Sequence, residues 1–413
     1  MRIMVLDEEF PYPTNNGKRT RSFNLYRRLS ARHQIRYIAY GEGGSVAAEA
    51  LRTEGIQPVP VPARIPSKHG PAFYLRLLAN LLSTLPYIVT SHTSRLYQDI
   101  VRDNAVEFRP HLLLCEWTPY VVYARALSSI TTLVSAHNIE ADIWQRYSEN
   151  ESNPLRRWYI REQWRKVERF ERAAMGYVDG AMTVSDLDRG RLLENRPGMP
   201  IAVIPNGVDL DYFRPMPQPT VRQDVVFTGS MDWRPNQDAA RYFVAEILPL
   251  LRRARPELEC TFVGRDPPPD IQALAQFPGV HITGTVDDVR PYVERAAVYV
   301  VPLRIGGGSR LKILEALAMG RAVVSTSVGA EGLDVVHDRH ILLADDPPTF
   351  AESVLRLLND PGRCLTLAVE GRRLVEEGYG WDALAYKMAA FIEEITEDEF
   401  SSSEPDRTAA PIC

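Results

Sequence analysis

Short apolar runs rich in β-branched residues alternate along the chain with longer stretches whose apolar positions recur at helical spacing. The short runs predict buried strands, and the longer stretches predict amphipathic helices. Repeated alternation of strand and helix predicts parallel sheets that are covered by helices on both faces. In chain order, the predicted strands are 3–6, 35–39, 112–115, 132–135, 181–184, 202–204, 225–228, 259–263, 280–282, 298–301, 322–325 and 341–343.

The strands fall into two series, which predict an α/β protein with two doubly wound, Rossmann-like domains facing across a cleft. A chain of 413 residues, 45% of them hydrophobic, is too long for one ordinary core. Prolines and an Asn-Gly pair mark 205–220 as an irregular linker. We therefore expect a first domain at 1–204 and a second at 221–378. The tail at 398–413 is acidic and rich in serine, which predicts disorder.

The most informative segment is 298–320, in which an apolar strand leads through three glycines into a helix. Gly306, Gly307 and Gly308 let backbone N–H groups approach a ligand closely. Ser309 can cap the helix, and Gly320 is placed to end it. A helix N-terminus behind a glycine turn suits an anion, above all a phosphate or diphosphate. The same join is also an ordinary connection in α/β proteins, and that alternative stays open.

Charged residues at the start of this helix favour the anion site. Arg310 and Lys312 oppose the helix dipole, which is unfavourable unless an anion is bound there. Glu315 lies one turn beyond Lys312 on the same side of the helix, where its carboxylate can accept hydrogen bonds from hydroxyl groups. A diphosphate beside a sugar hydroxyl is the pattern that a nucleotide-sugar presents.

Composition excludes several other classes of protein. The net charge of −5 offers no general attraction for nucleic acid. The histidines are scattered, and Cys115, Cys260, Cys364 and Cys413 lie far apart, so we expect reduced thiols, no metal and no cofactor. The chain opens directly on a strand and has no apolar run long enough to span a bilayer. We therefore expect no signal peptide, no membrane span and a cytoplasmic protein.

Two amphipathic segments bear on contacts with other molecules. A long charged helix is predicted at 150–176, and one of its faces carries an apolar stripe formed by Trp164, Val167, Phe170 and Ala174. Such a stripe is more typical of core packing than of a membrane anchor. The segment 72–88 is more apolar, and we expect it to pack in the core as well. Lining an acceptor groove, or peripheral contact with the inner face of the membrane, stays open for this segment.

Seven segments, in order along nearly the whole chain, resemble those of the GT-B glycosyltransferases, specifically the retaining enzymes of family 4. Any one of them is a weak signal, and the ordered set is a strong one. The resemblance implies that the second domain binds the nucleotide-sugar and that a terminal helix at about 381–397 packs back on the first domain. The segments are PYPTNNG at 11–17, SAHN at 135–138, VSDLDR at 184–189, IPNGVDLDYF at 204–213, FTG at 227–229, the glycine-rich motif at 306–320 and YGW at 379–381.

The resemblance also assigns residues to the sugar and the ribose of the donor. Glu315 matches the second glutamate of the family's Glu-x7-Glu motif, which implies contact with the nucleotide ribose. The first glutamate of that motif falls at Gly307, so this chain lacks the side chain that usually contacts the donor sugar. Backbone N–H groups of Gly307 and Gly308 would then take its place.

The diphosphate site departs from the family pattern as well. The family often carries an arginine and a lysine after the strand that 225–228 matches. Gly229 follows this strand, and we include it in the expected donor site. This chain has Ser230 and Pro235 at those positions. We infer that the basic pair of the glycine-rich helix takes over the diphosphate clamp. The alternative is that Arg234 shifts to fill the role.

His137 follows an apolar strand of the first domain and matches a histidine that lines the catalytic cleft in this family. The resemblance implies that His137 hydrogen-bonds the donor sugar near the reacting carbon and does not bind a metal. A purely structural histidine is the alternative. Asn16 and Gly17 lie in the first strand–helix loop, where they could bring backbone close to the donor phosphates or the acceptor. An ordinary Asn-Gly turn is an equally good interpretation.

These observations predict a metal-independent glycosyltransferase, of the hexosyltransferase kind, that moves a sugar from a nucleotide-sugar to a glycan or lipid-linked acceptor. Retention of configuration and a place in polysaccharide biosynthesis are implied by the resemblance alone. A nucleotide-sugar epimerase of the same architecture is one alternative. A catalytically silent nucleotide-sugar binding protein is another, because of the missing glutamate at Gly307. An NAD-dependent oxidoreductase is disfavoured, since no G-x-G-x-x-G follows the first strand.

Replacing Lys312 with alanine should raise the KM for the donor or lower kcat at least tenfold, about 1.4 kcal/mol, because a cation that stabilises the diphosphate is lost. Steady-state kinetics with varied donor concentration measures both constants. An unchanged kcat/KM would remove Lys312 from the diphosphate clamp.

Overall fold

The computed structural model describes residues 1–63, 65–67, 69–215, 224–305 and 311–401. The chain forms two compact units. The first is Met1–Pro205 together with Leu384–Cys413, and the second is Asn206–Ala383. Each unit is built on one parallel sheet with helices between its strands, which confirms the fold class predicted from the alternation of strands and helices.

The first unit contains a seven-stranded parallel sheet with the order β3-β2-β1-β4-β5-β6-β7. Its strands are β1 Arg2–Glu9, β2 Gln34–Tyr40, β3 Ile56–Val61, β4 Leu112–Cys115, β5 Thr131–Ala136, β6 Gly180–Thr183 and β7 Ile201–Val203. Its helices are α1 Gly17–Leu29, α2 Val46–Thr53, α3 Pro71–Asn80, α4 Tyr87–His92, α5 Arg95–Phe108, α6 Glu140–Asn150, α7 Pro154–Ala174 and α8 Asp186–Asn195, with a 3-10 segment at Thr118–Leu127.

The second unit contains a six-stranded parallel sheet with the order β10-β9-β8-β11-β12-β13. Its strands are β8 Asp224–Thr228, β9 Cys260–Val263, β10 Val280–Ile282, β11 Ala296–Val301, β12 Ala322–Ser325 and β13 Leu342–Leu343. Its helices are α9 Arg234–Tyr242, α10 Leu248–Ala254, α11 Pro269–Gln272, α12 Arg290–Arg295, α13 Leu311–Ala318, α14 Ser327–Ala330, α15 Pro347–Asn359 and α16 Pro361–Gly378, and a final helix, α17 Trp381–Ser401, follows.

β3 is a strand that the sequence pattern does not predict. Its sequence, IQPVPV, contains Pro58 and Pro60, and a proline cannot donate a hydrogen bond to a neighbouring strand. β3 lies at the edge of the first sheet and pairs only with β2 among the described strands. The prolines are tolerated because the outer side of an edge strand needs no such donors.

The long charged helix packs as predicted, although it is shorter than predicted, at Pro154–Ala174. Val167, Phe170 and Ala174 are buried in the core of the first unit, and the half-buried Trp164 packs against them. The helix starts at Pro154 and not at residue 150, because the side chain of Asn153 caps it by accepting hydrogen bonds from the backbone of the first turn.

The prediction that 72–88 packs in the core is wrong for much of this segment. It forms α3, a turn and the start of α4, and Tyr74, Leu75, Leu78 and Leu82 are exposed. Helical spacing in a strongly apolar sequence does not by itself say that a neighbouring element covers the apolar face. Among the described residues, no helix is long and apolar enough to cross a membrane.

α13 ends at Ala318, and Gly320 terminates it as the sequence predicts. The backbone N–H of Gly320 donates to the carbonyl of Leu317 at 2.9 Å, and that of Arg321 donates to Ala316 at 2.9 Å. Gly320 has a φ of +63°, which favours glycine. This pair of hydrogen bonds satisfies the last carbonyls of the helix in a Schellman motif.

The end of the chain returns to the first unit. From Leu384 onwards, α17 belongs to that unit, where Thr396 contacts Met1 and Glu393 lies 4.0 Å from the ring of His33. The helix extends to Ser401, so the first residues of the predicted disordered tail are helical, and 402–413 lie outside the described residues.

The thiols are free, as the sequence analysis expects. Cys115 and Cys260 are buried, Cys364 is half-buried, and none of the three is in a disulfide. Cys413 lies outside the described residues.

The loops that follow β8 and β9 touch each other through two glycines. The backbone N–H of Gly229 donates to the carbonyl of Val263 at 2.9 Å, and that of Met231 donates to Arg265 at 2.9 Å. A Cβ atom added at Gly264 would overlap the carbonyl oxygen of Gly229. The glycine at 264 therefore fixes how closely the two strand ends can approach.

Replacing Gly264 with alanine should lower the free energy of unfolding by about 1–3 kcal/mol, because the loop after β8 must move to make room. Chemical denaturation followed by circular dichroism measures the change. Gly378→Ala in the same unit is the matched control, since nothing lies within 4 Å of an added Cβ there. Equal stability of the two variants would contradict the expected crowding.

Candidate active site

Lys312 is held at the end of the first strand of the second unit. It lies in the first turn of α13, and its Nζ donates a hydrogen bond to Oδ1 of Asn236 at 2.6 Å. Nζ also lies 4.1 Å from the centre of the Phe227 ring, which is close enough for a cation–π contact. Asn236 is itself fixed, because its side-chain amide donates to the carbonyl of Ser230 at 2.7 Å. The ammonium therefore has a set position before any ligand binds.

Gly229 makes this position possible. A Cβ atom added at Gly229 would lie 2.7 Å from Nζ of Lys312 and 2.7 Å from Nδ2 of Asn236. Real Cβ atoms do not approach other atoms so closely, so a side chain here would push Lys312 or Asn236 away. The glycine of the FTG segment therefore gives the ammonium room beside the backbone that follows β8.

Asn236 also explains how a lysine of α13 can replace the basic residue that the family often has after this strand. Pro235 stands where the family often has a basic residue, and the next residue, Asn236, orients an ammonium that comes from a different helix. Arg234, the other candidate for the diphosphate, is exposed at the start of α9. The arrangement favours Lys312 over Arg234 as the cation fixed at this strand end.

Glu315 lies one turn after Lys312 and is half-buried. Burial raises the pKa of Glu315 to about 7, and the nearby ammonium of Lys312 opposes the rise. Near neutral pH this carboxyl group exists in both protonation states, so it can donate a hydrogen bond to a ligand hydroxyl or accept one from it. Gly306, Gly307, Gly308, Ser309 and Arg310 lie outside the described residues.

A second cation near this strand end was missed by the sequence analysis. Arg265 follows β9 and Gly264, and its Nε donates to the hydroxyl of Ser230 at 2.7 Å. Its guanidinium also lies 3.6 Å from the carboxylate of Asp232. The sequence signal for Arg265 is the pair Gly264-Arg265, which directly follows a predicted strand. Gly229 and Ser230 follow β8 in the same way.

The first unit carries a separate polar cluster around a buried carboxylate. Glu116 comes directly after β4, and only 2% of its surface is exposed. It accepts hydrogen bonds from Ser22 at 2.6 Å, from Tyr26 at 2.6 Å and from Nε2 of His137 at 3.1 Å. His137 follows β5, the strand next to β4 in the sheet. The carboxyl ends of neighbouring parallel strands, where ligands of such sheets bind, therefore bring Glu116 and His137 together.

The protonation states of this pair follow from their surroundings. Burial alone would raise the pKa of Glu116, but the hydrogen bonds from His137, Ser22 and Tyr26 outweigh burial, so its pKa lies below the ordinary value. Burial lowers the pKa of His137, and the charge of Glu116 opposes that shift. At neutral pH the carboxylate is therefore ionised and the imidazole is neutral. Nε2 must carry the proton that it donates to Glu116, which leaves Nδ1 as a hydrogen-bond acceptor.

A buried ion pair lies at the end of β1 in the same unit. Nζ of Lys18 is 2.6 Å from the carboxylate of Asp7 and 2.9 Å from that of Glu8, and it lies 5.5 Å from the centre of the Trp117 ring. Tyr37 donates a further hydrogen bond to Asp7. No motif in the sequence marks these residues, although Asp7 and Glu116 each stand at the carboxyl end of a predicted strand.

The loop between β1 and α1 has a structural role, because Asn16 caps the helix that follows it. Oδ1 of Asn16 accepts a hydrogen bond from the backbone N–H of Arg19 at 2.9 Å, so Asn16 caps α1. Gly17 is the first residue of that helix. Contact of either residue with the donor or the acceptor stays a prediction.

Two parallel α/β units of this kind match solved structures of GT-B glycosyltransferases. Sucrose-phosphate synthase from Thermosynechococcus elongatus is 18% identical, with a TM-score of 0.68, and the match covers 96% of this chain and 100% of that one. HepE from Anabaena, solved in complex with UDP-glucose, is 13% identical, with a TM-score of 0.65, and covers 95% of this chain and 100% of its own. At these identities the likeness shows the fold alone.

Family models define the class more narrowly. A model described as Glycosyltransferase Family 4 matches residues 16–212, and one described as Glycosyl transferases group 1 matches 222–360. The chain therefore belongs to the family 4 glycosyltransferases, as the ordered motifs predict.

A relative in Mycobacterium tuberculosis, the GDP-mannose-dependent alpha-(1-6)-phosphatidylinositol monomannoside mannosyltransferase, is 29% identical over 221 residues. That match covers 48% of this chain and 56% of the relative. The chain spans about half the length of the curated relatives it matches.

Replacing Glu116 with glutamine should lower the pKa of His137 further, because the carboxylate charge that favours the imidazolium is removed. NMR titration of the histidine ring measures this pKa and the tautomer directly. Glu49→Gln, at an exposed position of α2, is the matched control and should leave His137 unchanged. A His137 pKa that stays the same or rises in a folded Glu116→Gln variant would contradict the assigned pair.

Proposed function

We propose that this protein transfers a sugar from a nucleotide-sugar to a glycan or lipid-linked acceptor, with retention of configuration and without a metal ion. The observation that carries the proposal is the fixed ammonium of Lys312, which Asn236 and Gly229 hold at the end of β8. It lies in the unit that the group 1 transferase model matches. Because the chain belongs to a glycosyltransferase family, we infer that the anion bound by Lys312 is the diphosphate of an activated sugar.

Lys312 would act on the leaving group. When the bond between the anomeric carbon and the diphosphate breaks, negative charge develops on the diphosphate. An ammonium already fixed by Asn236 stabilises this charge without having to reorganise in the transition state. Gly306–Gly308, Ser309 and Arg310 are proposed to complete the clamp, as the sequence predicts. Arg234 and Arg265 would serve as further cations near the same strand end.

Glu315 would bind a hydroxyl group of the donor, the ribose in the family pattern. Its raised pKa suits this role, since a carboxyl group that is partly protonated can pair with a hydroxyl as acceptor or donor. His137 would bind a hydroxyl of the transferred sugar through Nδ1, because Glu116 occupies its other nitrogen. Both contacts position the donor and carry no proton through the reaction.

We infer metal independence from the same arrangement of cations. Among the residues that the structure describes, no group of three or more histidine, cysteine, aspartate or glutamate side chains is placed to hold a metal ion. The diphosphate charge would instead be met by Lys312 and the residues around it.

The named relatives guide the choice of substrates. The mycobacterial relative is described as GDP-mannose-dependent and acts on a phosphatidylinositol mannoside, and HepE was solved with UDP-glucose. GDP-mannose and UDP-glucose are therefore the first donors to test, and a lipid-linked glycan is the first acceptor. A lipid-linked acceptor would bring the protein to the inner face of the membrane as a peripheral, cytoplasmic enzyme.

A thermal-shift screen of UDP-, GDP-, dTDP- and ADP-sugars should find one that raises the stability of the protein, by about 2.7 kcal/mol at a hundredfold excess over its Kd. Lys312→Ala should lose most of this shift. Lys387→Ala, which removes an exposed lysine of α17, should keep it. If none of the nucleotide-sugars stabilises the wild-type protein, the proposed donor site is wrong.

Product analysis of the stabilising donor separates the alternatives. With an acceptor present, a transferase forms a new glycoside at the same rate with or without EDTA. An epimerase would convert the donor without any acceptor, and a silent binding protein would bind it without turnover. Either of these two results would contradict the proposed transfer.

A further inference from the structure

The start of α6 is capped by a side chain from another helix. The first backbone N–H groups of a helix have no partner within it, and a polar side chain at the N-cap commonly accepts from one or two of them. Ile139 holds that position in α6, and its apolar side chain cannot accept a hydrogen bond. Instead, Oε1 of Glu171 in α7 accepts from the N–H of Glu140 at 2.9 Å, and Oε2 accepts from that of Ala141 at 3.0 Å. α7 therefore supplies the cap that α6 lacks.

Glu171 is an unusual residue to bury, because only 3% of its surface is exposed. Burial raises the pKa of Glu171 to about 8, and the two backbone hydrogen bonds oppose this rise because they favour the ionised form. A buried carboxyl group is unfavourable unless it is hydrogen-bonded. The contribution of Glu171 therefore lies in the two hydrogen bonds that it accepts.

The capped helix start lies directly after His137. Only the three residues 137–139 connect β5 to α6. The ring of His137 is held by Glu116, to which its Nε2 donates at 3.1 Å, and the backbone is held by Glu171 three positions later. In so short a connection, a shift of the helix start would move His137 with it.

A second contact ties the same helix start to the segment that carries Glu116. Trp117 follows Glu116, and its Nε1 donates to Oε1 of Glu140 at 2.8 Å. The chain after β4 is thus joined to the chain after β5 at two points, by the Glu116–His137 pair and by the Trp117–Glu140 pair. Glu140 is held on its backbone by α7 and on its side chain by Trp117, so its position and that of His137 are set together.

We propose that Glu171 is a positioning residue of the candidate active site, which keeps His137 against Glu116 by fixing the start of α6. The inference rests on the proposed function, in which Nδ1 of His137 binds a hydroxyl group of the transferred sugar. An imidazole that leaves Glu116 would lose the orientation that directs Nδ1 towards the sugar. A cap with a merely structural role would stabilise α6 without affecting the ring.

Hydrogen exchange of the ring proton on Nε2 of His137 tests the positioning role, because this proton exchanges with water only when its hydrogen bond to Glu116 opens. Glu171→Gln keeps the size of the side chain and one acceptor oxygen, but its NH2 group cannot accept the second backbone N–H. NMR should find exchange at least tenfold faster in this variant than in the wild type.

Trp117→Phe weakens the same helix start from the other side, because it removes the donor to Glu140. It should also accelerate exchange at His137, and it keeps the test valid if Glu171→Gln does not fold. Circular dichroism shows whether each variant is folded.

Asn153→Ala is the matched control. Asn153 is an exposed cap at the start of α7, and its Oδ1 accepts from the backbone N–H groups of Leu155 at 3.0 Å and Arg156 at 3.1 Å. Its loss removes two hydrogen bonds at a helix start, as many as Glu171 accepts, in the helix that carries Glu171. This variant should melt at a lower temperature than the wild type and leave exchange at His137 unchanged.

Kinetics with the donor found by the thermal-shift screen tests the consequence for transfer. Glu171→Gln should lower kcat/KM at least tenfold, because His137 no longer meets the sugar in a fixed orientation. The thermal shift caused by the nucleoside diphosphate alone should be unchanged, since that ligand lacks the sugar that His137 is proposed to bind.

Three results would overturn the positioning role. They are unchanged exchange at His137 in folded Glu171→Gln, equally accelerated exchange in Asn153→Ala, and unchanged kcat/KM despite faster exchange. Faster exchange in Glu171→Gln, with a wild-type protein that transfers no sugar, would instead support the hold of Glu171 on His137 and contradict the proposed function.

Discussion

The proposed donor site depends on an ammonium group held against backbone that carries no side chain. Lys312 reaches the end of β8 beside Gly229, where a Cβ atom would crowd its ammonium, and it stays there because Asn236 accepts its hydrogen bond. The loop after β8 is in turn held by the loop after β9, where Gly264 allows close contact. A change at any of these positions would move the charge away from its place, although none of the glycines has a side chain to contact a ligand.

The first unit is organised by a different constraint, a buried negative charge. An ionised carboxylate inside a protein is strongly unfavourable unless hydrogen bonds replace its water. Glu116 receives three of them, from α1 and from the end of β5. These contacts fix both the orientation and the tautomer of His137, so the imidazole presents an acceptor nitrogen and not a charge. The two units thus carry different groups: a fixed cation in one and a neutral, oriented histidine in the other.

Much of the fold could be predicted from the sequence because local patterns determine it. Buried parallel strands are continuous apolar runs, and that signal located the strands of both sheets except β3, whose prolines are permitted only at an edge. The end of α13 was predicted from Gly320 because the chemistry of a helix terminus is local. The exposure of α3 could not be predicted, since composition does not reveal which apolar face finds a partner.

The sites were predicted only in part for a related reason. Lys312, Glu315, Gly229 and His137 could be singled out because each stands in a recognisable motif, and their contact with a donor stays a prediction. Glu116 was missed because its partners Ser22 and Tyr26 lie 94 and 90 residues away in sequence, and only the sheet order brings them together. Strand order also explains Arg265, which is next to Ser230 because β9 pairs with β8.

The central claim is that Lys312 binds the diphosphate of an activated sugar. A crystal structure with the bound nucleoside diphosphate tests it most directly. We expect a phosphate oxygen about 2.7–2.9 Å from Nζ of Lys312, the usual length of such a charge-assisted hydrogen bond. A diphosphate bound elsewhere, with Lys312 still paired to Asn236 and out of its reach, would contradict the account.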